Sequence, residues 1–208
     1  MIIEGREFRI QSEMDELRHG FMYKSCYCEE NIYLLGKKLS EECPVRQFHV
    51  IFISNSTRSV LINNQASKDN GMVVWDYHVV LLHSHQDSSY IFDFDSRLSF
   101  GISAIEYLNN SFPTHAATAA TPELNPLFRI IPLQSYLSYF SSDRSHMISK
   151  SGEYLSPPPS WEIIQSPNAE SGNELDFFIN MDSLRFSNIS RVLNLDQMLS
   201  FVQNRCEH

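Results

Sequence analysis

The sequence lacks a hydrophobic run that would cross a membrane. None of its apolar stretches approaches the roughly 20 residues that a transmembrane helix needs. The segment 1–18 mixes acidic and basic side chains, so it also lacks the apolar centre of a secretory signal. We therefore expect an intracellular protein without a membrane partner, located in the cytoplasm, with the nucleus as a second compartment.

Cysteine is scarce as well. The chain has four cysteines in 208 residues, too few for the disulfide framework of a small secreted domain. Inside a cell we expect all of them to be reduced thiols. Cys43 precedes a proline and Cys206 lies near the C-terminus, so neither belongs to a recognisable pattern. Cys26 and Cys28 remain, separated by one tyrosine at the start of a helical pattern.

The chain is also short of basic residues. Sixteen Lys and Arg stand against 25 Asp and Glu, for a net charge of −9. We expect no nucleic-acid partner, because an acidic surface repels the phosphate backbone. A cationic or amine-bearing substrate fits this charge better. The composition, 42% hydrophobic and without repeats, predicts one globular domain over 1–208, with 1–20 as a loosely ordered lead-in. Nothing in it indicates an oligomer, so we expect a monomer.

The clearest helical pattern begins at Cys28 and runs to Leu39. Ile32, Leu35 and Leu39 follow the spacing of one helix face, and Cys28 lies four residues before Ile32 on the same face. Cys28 is therefore expected in the first helical turn, at the positive end of the helix dipole. Two glutamates follow it directly and oppose that effect on the thiol.

The remaining patterns predict an α+β fold around a central antiparallel sheet. The run 72–83 is almost continuously apolar, which is typical of a central strand covered on both faces. The run 90–95 alternates, and a short polar turn joins the two, which predicts an antiparallel hairpin. Further strands are predicted at 47–53 and 128–132, and further helices at 104–112, 135–140, 173–179 and 195–202.

Three residues are candidates for catalytic chemistry. Cys28 is a potential thiol nucleophile at a helix start, although cysteine is also common as a buried core residue. His78 stands in the middle of the apolar run and needs a partner for its ring, which a structural hydrogen bond would also supply. Asp93 lies between two phenylalanines, where an ionised carboxylate must be paired, with a catalytic or a structural partner.

Together the three follow the order Cys, His, Asp that papain-like and transglutaminase-like enzymes use. The roles would be nucleophile, general base and then acid, and orienter of the imidazole. A metal site is the alternative, since Cys26, Cys28, His78 and His83 offer four zinc ligands. The Cys-x-Cys spacing is unusual for such a site, so we expect no metal and no other cofactor.

The motifs SCYCEEN (25–31), WDYHVVLLH (75–83), DRSHM (143–147) and PPP (157–159) closely resemble those of the protein N-terminal glutamine amidohydrolase family. The resemblance extends from about residue 23 to the C-terminal helix. It implies a papain/transglutaminase-like fold with the nucleophilic cysteine at a helix N-terminus, and a triad of Cys28, His78 and Asp93. It also implies deamidation of an N-terminal glutamine to glutamate with release of ammonia, a step of the N-degron pathway.

A substrate that begins with glutamine needs acceptors for its free α-ammonium group and walls around its side chain. Asp76 is the candidate acceptor, because it is expected on the strand face of His78, while Tyr27 and Trp75 are candidate walls. Two alternatives remain at this point. One is a non-catalytic module that binds a peptide N-terminus, and the other is a thiol peptidase or transglutaminase with the same triad.

Overall fold

A computed structural model describes residues 18–41, 44–112 and 121–204. Cys43, Cys206 and most of the predicted lead-in lie outside these residues. The helices are α1 (Cys28–Ser40), α2 (Ala104–Ser111), α3 (Leu133–Tyr139), α4 (Leu175–Ile179) and α5 (Leu195–Asn204). The strands are β1 (Phe48–Ser54), β2 (Val60–Ile62), β3 (Val73–Trp75), β4 (His78–His85), β5 (Ser88–Phe92), β6 (Ile102–Ser103), β7 (Leu127–Pro132) and β8 (Arg191–Asn194). No helix among the described residues has the length and apolarity to cross a membrane.

Six of the strands form one antiparallel sheet in the order β6-β5-β4-β1-β7-β8, while β2 and β3 pair separately. The predicted α+β class with a central antiparallel sheet is therefore confirmed. The β4–β5 hairpin is confirmed as well, with Leu81 opposite Phe92.

The central strand β4 is covered on both faces, as its apolarity predicts. Val79 and Leu81 belong to a buried cluster beneath α1, α3 and α4. Val80 and Leu82 belong to a second cluster beneath α2 and α5. Alternation of side chains along a strand explains this division. The sheet thus separates two apolar layers, each closed by helices.

The prediction of one continuous strand over 72–83 is wrong. The chain forms two strands in two different sheets, and Asp76 and Tyr77 lie between them. The Asp76 carboxylate accepts the Tyr77 backbone N–H at 2.9 Å, and Ser54 Oγ donates to the Asp76 carbonyl at 2.6 Å. These side chains replace ladder hydrogen bonds at the break. His78 consequently begins a strand instead of occupying its middle.

The position of Asp93 within a strand is also corrected. Strand β5 ends at Phe92, and the Asp93 carboxylate accepts the backbone N–H of Asp95 at 2.9 Å. This bond bends the chain away from the ladder, since an aspartate side chain can substitute for a strand partner. The alternation across 90–95 therefore describes a strand followed by a turn.

Helix α1 packs as its apolar face predicts. Ile32, Leu35 and Leu39 are buried against the sheet. Gly36 permits close approach to α3, because a Cβ at this position would collide with the Leu133 side chain. At the other end of the helix, a backbone hydrogen bond from Val79 to Cys28 joins the first turn of α1 to the start of β4.

Candidate functional site

The three candidate residues lie at ends of secondary-structure elements around the start of β4. Cys28 is the first residue of α1, His78 is the first of β4, and Asp93 directly follows β5. Cys28 packs against the apolar cluster under α1. His78 shares its strand face with Val80, on the opposite side of the sheet. The thiol and the imidazole thus approach the strand end from different faces.

His78 and Asp93 form a direct, buried pair. His78 Nε2 donates to Asp93 Oδ1 over 2.8 Å, and both side chains are 1% exposed. Asp93 Oδ2 also accepts the Tyr107 hydroxyl at 2.8 Å and Gln65 Nε2 at 3.5 Å. With the Asp95 amide, four donors surround this carboxylate, so its orientation is firmly determined.

The imidazole ring is held from its face as well. The Trp75 indole stacks on His78 with centroids 5.5 Å apart and planes inclined by 19°. Trp75 Nε1 donates to Gln65 Oε1 at 3.2 Å, which connects the indole to the amide that contacts Asp93. Trp75 was predicted as a wall of the site. Its contacts with His78 and Gln65 give the indole a second role, which is to position the imidazole.

The charges of the pair support each other. Burial lowers the pKa of His78, but the charge and hydrogen bond of Asp93 outweigh it, and the net pKa is raised. Burial raises the pKa of Asp93, but the imidazolium and the surrounding donors outweigh it, and the net pKa is lowered. Each partner therefore stabilises the charged form of the other, which makes His78 a stronger base than an isolated histidine.

The other ring nitrogen of His78 is unpaired. His78 Nδ1 is buried and has no hydrogen-bond partner among the residues that the structure describes. A buried polar atom without a partner is costly and calls for a functional explanation. Because Nε2 is occupied by Asp93, Nδ1 is the nitrogen that remains free to exchange a proton with another group.

Cys28 lies next to Val79, the residue that follows this histidine, in an environment that does not favour a thiolate. Burial, followed by the charges of Glu29 and Asp95, raises the pKa of Cys28 well above its ordinary value, although the backbone amide of Val79 lowers it. Cys28 Sγ donates to Glu29 Oε2 at 3.6 Å. The helix start alone therefore does not produce a resting thiolate, in keeping with the expected opposition of the glutamates.

Both glutamates after Cys28 are fully buried, which their place in a helical first turn did not indicate. Glu29 Oε2 accepts the Tyr77 hydroxyl at 2.9 Å, while Glu29 Oε1 lies 3.5 Å from His146 Nε2. Glu30 instead forms a bidentate pair with Arg144, both distances being 2.9 Å. One glutamate faces the thiol, and the other anchors a distant segment.

A cleft of about 610 Å³ opens next to these groups. Its described lining includes Tyr23, Ser25, Cys26, Trp75, Phe94 and Asp95. Cys26 thus borders the open volume and is exposed, whereas Cys28 is partly exposed and does not belong to the described lining of the cleft. The sulfur of Cys26 contacts Ser25 Oγ at 3.6 Å, and no bond to His78 or Asp93 is found for it among the described residues.

The other predicted binding residues lie apart from the cleft. Tyr27 is 0% exposed, and its hydroxyl donates to the Ser156 carbonyl at 3.0 Å, so its ring belongs to the interior. Asp76 is exposed at the break between β3 and β4 and does not border the cleft. Its predicted place on the strand face of His78 is wrong, because the strand begins only at His78.

Sequence reasoning missed several residues around the pair. Gln65 and Tyr107 contact Asp93 from distant parts of the chain, and no local pattern marks them. Asp95 was visible as the last acid of the alternating run, yet only the bend after β5 turns it toward the cleft.

The four ligands of the predicted metal alternative do not come together among the described residues. His83 lies five positions along β4, stacked on Phe48, on the strand face opposite to His78. A different group, His78, Asp93 and Asp95, places its ligand atoms within 4.8 Å of one another. In this group His78 Nε2 and Asp93 Oδ1 already bond to each other, so a cation would have to break that bond.

An α+β domain with a buried imidazole–carboxylate pair, a thiol at the same end of the central strand and an open cleft is typical of a hydrolase. Comparison with known proteins narrows this class. The family described as N-terminal glutamine amidase matches residues 23–202.

Several relatives bear the name protein N-terminal glutamine amidohydrolase. The Bos taurus protein is 40% identical over 169 residues, which cover 79% of this chain and 80% of the relative. The Homo sapiens protein is 38% identical over the same length and shares of each chain. The Caenorhabditis elegans protein is 38% identical over 156 residues, 74% of this chain and 83% of the relative. The chain belongs to the N-terminal glutamine amidase family.

Proposed function

We propose that this protein hydrolyses the side-chain amide of an N-terminal glutamine in proteins and peptides. The products are N-terminal glutamate and ammonia. Membership of the family supports both the reaction and the substrate class. The proposal adds the residues that perform it, with Cys28 as the nucleophile, His78 as the base and then acid, and Asp93 as the orienting carboxylate.

In the first half-reaction, Cys28 attacks the carboxamide carbon of the glutamine. Its proton passes to Nδ1 of His78, so that the C–S bond forms without a free thiolate in the resting protein. The imidazolium then gives this proton to the amide nitrogen. The C–N bond breaks, ammonia leaves, and a thioester with Cys28 remains.

In the second half-reaction, water hydrolyses the thioester. His78 takes a proton from the water, whose oxygen bonds to the carbonyl carbon, and the C–S bond then breaks. The proton returns to the sulfur, which restores the thiol, and the released carboxylic acid ionises by giving its own proton to solvent. Each tetrahedral intermediate carries an oxyanion, for which the backbone N–H of Cys28 at the helix start is a suitable donor.

One observation supports this assignment most directly. His78 has one nitrogen bonded to Asp93 and the other buried without a described partner. The raised pKa of Cys28 agrees with a thiol that gives up its proton only during attack. A papain/transglutaminase-like fold, with the nucleophile at a helix N-terminus, is part of the same proposal.

The test uses a peptide that begins with glutamine, with ammonia release and mass spectrometry as readouts. Wild-type protein should convert the amide to an acid, a mass gain of about 1 Da that hydrolysis at the thiol requires. Cys28→Ala should abolish this conversion while thermal unfolding stays cooperative. Cys26→Ala is the matched control and should retain activity. Loss of activity in the Cys26 variant together with retention in the Cys28 variant would refute the assignment.

The same peptide separates the alternatives. Ammonia release without cleavage of the peptide chain distinguishes an amidase from a thiol peptidase, and binding without either product indicates a binding module. A peptide that begins with asparagine should react poorly, because its shorter side chain leaves the amide carbon out of reach of the sulfur. The cytoplasmic and nuclear location, the monomeric state and the single domain over 1–208 stay predictions.

A further inference from the structure

The cleft beside the candidate triad contains a carboxylate that the proposed mechanism does not use. Asp95 borders the cleft and is the only acid among its described lining residues. Its nearest carboxylate oxygen lies within 4.8 Å of ligand atoms of both His78 and Asp93. It is therefore close to the reacting groups and also accessible to a molecule in the cleft.

The carboxylate of Asp95 is held in place but incompletely paired. The Tyr23 hydroxyl donates to Asp95 Oδ1 at 2.6 Å, and no salt bridge to Asp95 is found among the described residues. Burial raises its pKa, and the charge of Asp93 adds to this rise, which the opposing effects of His78, Tyr23 and Arg18 do not cancel. A cation next to Asp95 would relieve both effects, because an opposite charge stabilises a desolvated carboxylate.

The backbone on either side of Asp95 already accepts a cation. The guanidinium of Arg18 donates to the Phe94 carbonyl and, at 3.3 Å, to the Ser96 carbonyl. Carbonyl oxygens and a carboxylate thus gather at one wall of the cleft. The hydrogen bonds of Arg18 go to these carbonyls, so the Asp95 carboxylate can still accept a donor from a bound cation.

Other acids near the site are unsuitable. Asp93 is buried beneath four donors, and Glu29 is 0% exposed and bonded to Tyr77 and Cys28. Asp76, the acceptor suggested by sequence, uses its carboxylate for the Tyr77 amide outside the cleft. Asp95 is the acid that a bound molecule can reach.

We propose that Asp95 binds the α-ammonium group of the N-terminal residue and so restricts the reaction to chain termini. This inference rests on the proposed function and names its specificity-determining residue. In glutamine the amide carbon and the α-nitrogen are at most about 5 Å apart, as standard bond lengths require. Because Asp95 lies within 4.8 Å of the His78–Asp93 pair, a side chain whose amide reaches these groups has its ammonium group within range of the Asp95 carboxylate.

The test compares two peptides that share the reacting amide. One begins with glutamine, and the other carries a glutaramoyl group, which is glutamine without its α-amine. The glutaramoyl peptide removes the positive charge without adding the bulk of an acetyl group. Binding is measured by calorimetry in the Cys28→Ala background, so that affinity is independent of turnover, and ammonia release is measured with the otherwise native protein.

Asp95→Asn should weaken binding of the glutamine peptide about 10- to 100-fold, the usual value of a hydrogen bond to a charged group. It should change binding of the glutaramoyl peptide little. The preference of the native site for the free amine should also decline as the pH falls and Asp95 becomes protonated. Asp87→Asn, with the same loss of charge at the exposed turn of the same hairpin, is the control.

Equal weakening for both peptides would overturn the inference, since Asp95 would then act only on the shape of the site. Unchanged affinities, or a loss of preference caused by Asp76→Asn instead, would overturn it as well. Failure of the native protein to release ammonia would contradict the proposed function alone, because the affinities of the two peptides are measured without turnover.

Discussion

Glu30 and Asp93 are both buried carboxylates that bond to a basic side chain, but their partners differ in one respect. The Arg144 guanidinium donates two hydrogen bonds to Glu30. It also donates to the backbone carbonyls of Pro159, Trp161 and Glu162. His78 bonds to Asp93 and keeps a second nitrogen without a described partner. The first pair is complete, whereas the second has one atom free.

This difference separates a structural pair from a candidate catalytic one. Trp161 Nε1 adds a bond to Glu30 at 2.6 Å, so the Glu30 pair has little capacity left for a ligand. The pair fastens the segment after Pro159 to the first turn of α1, beneath Cys28. The His78 pair, at the end of β4, has the free position that proton transfer requires. Burial and charge alone do not distinguish the two.

The largest effect is expected on kcat, at the pair formed by His78 and Asp93, which has one nitrogen without a described partner. Glutamine at position 78 can still donate to Asp93 but cannot accept and return a proton at neutral pH. His78→Gln should therefore lower kcat by about 10³-fold or more, within the range known for lost acid–base groups. Ammonia release measures it, with thermal unfolding as the control for folding. A loss of less than about tenfold would show that the free nitrogen is not catalytic.

The next effect is expected on stability, at the pair formed by Glu30 and Arg144. Arg144→Met leaves the buried Glu30 carboxylate without an opposite charge, which should lower the free energy of unfolding by about 3–5 kcal/mol. Urea unfolding measures this loss, and activity per folded molecule should change little at low temperature.

The double variant Glu30→Gln with Arg144→Met should recover part of that stability, because no uncompensated charge then remains. Two independent, additive losses would contradict the pairing. A selective loss of kcat without loss of stability would show that Arg144 contributes to catalysis and not to the stability of the fold.

The smallest effect is expected at Glu29, which lies between the two pairs. Its charge raises the pKa of Cys28, so Glu29→Gln should lower that pKa and move iodoacetamide labelling of Cys28 to lower pH. Below the pKa, each unit of decrease raises the thiolate fraction about tenfold. Glu41→Gln, at the exposed C-terminal end of the same helix, is the control. An unchanged labelling profile would show that Glu29 does not restrain the thiol.

Much of the fold could be predicted, since its signals are local. The apolar spacing from Cys28 predicts α1, and the residues on either side of the Gln86–Asp87 turn predict the hairpin. The short strands β2, β6 and β8 were missed, because segments of two to four residues have too few positions for a recognisable period. The break at Asp76 was missed because apolarity continues across it.

The candidate site could be predicted in part. The residue types and their order single out Cys28, His78 and Asp93, and the structure brings the last two within 2.8 Å of each other. The support for these residues could not be predicted. Gln65 lies 28 positions from Asp93, and Glu30 lies 114 positions from Arg144. Contacts over such separations depend on the path of the chain and leave no local pattern.

The sequence by itself determined the helix start, the hairpin, the acidic character and the family motifs, because each depends on neighbouring residues. Only the tertiary structure decided which nitrogen of His78 is free, which glutamate faces the thiol, and which aspartate borders the cleft. Those outcomes depend on where turns end the strands and on which distant donors reach each buried oxygen. Burial makes every polar atom require a partner, and only the folded chain shows which atoms have one.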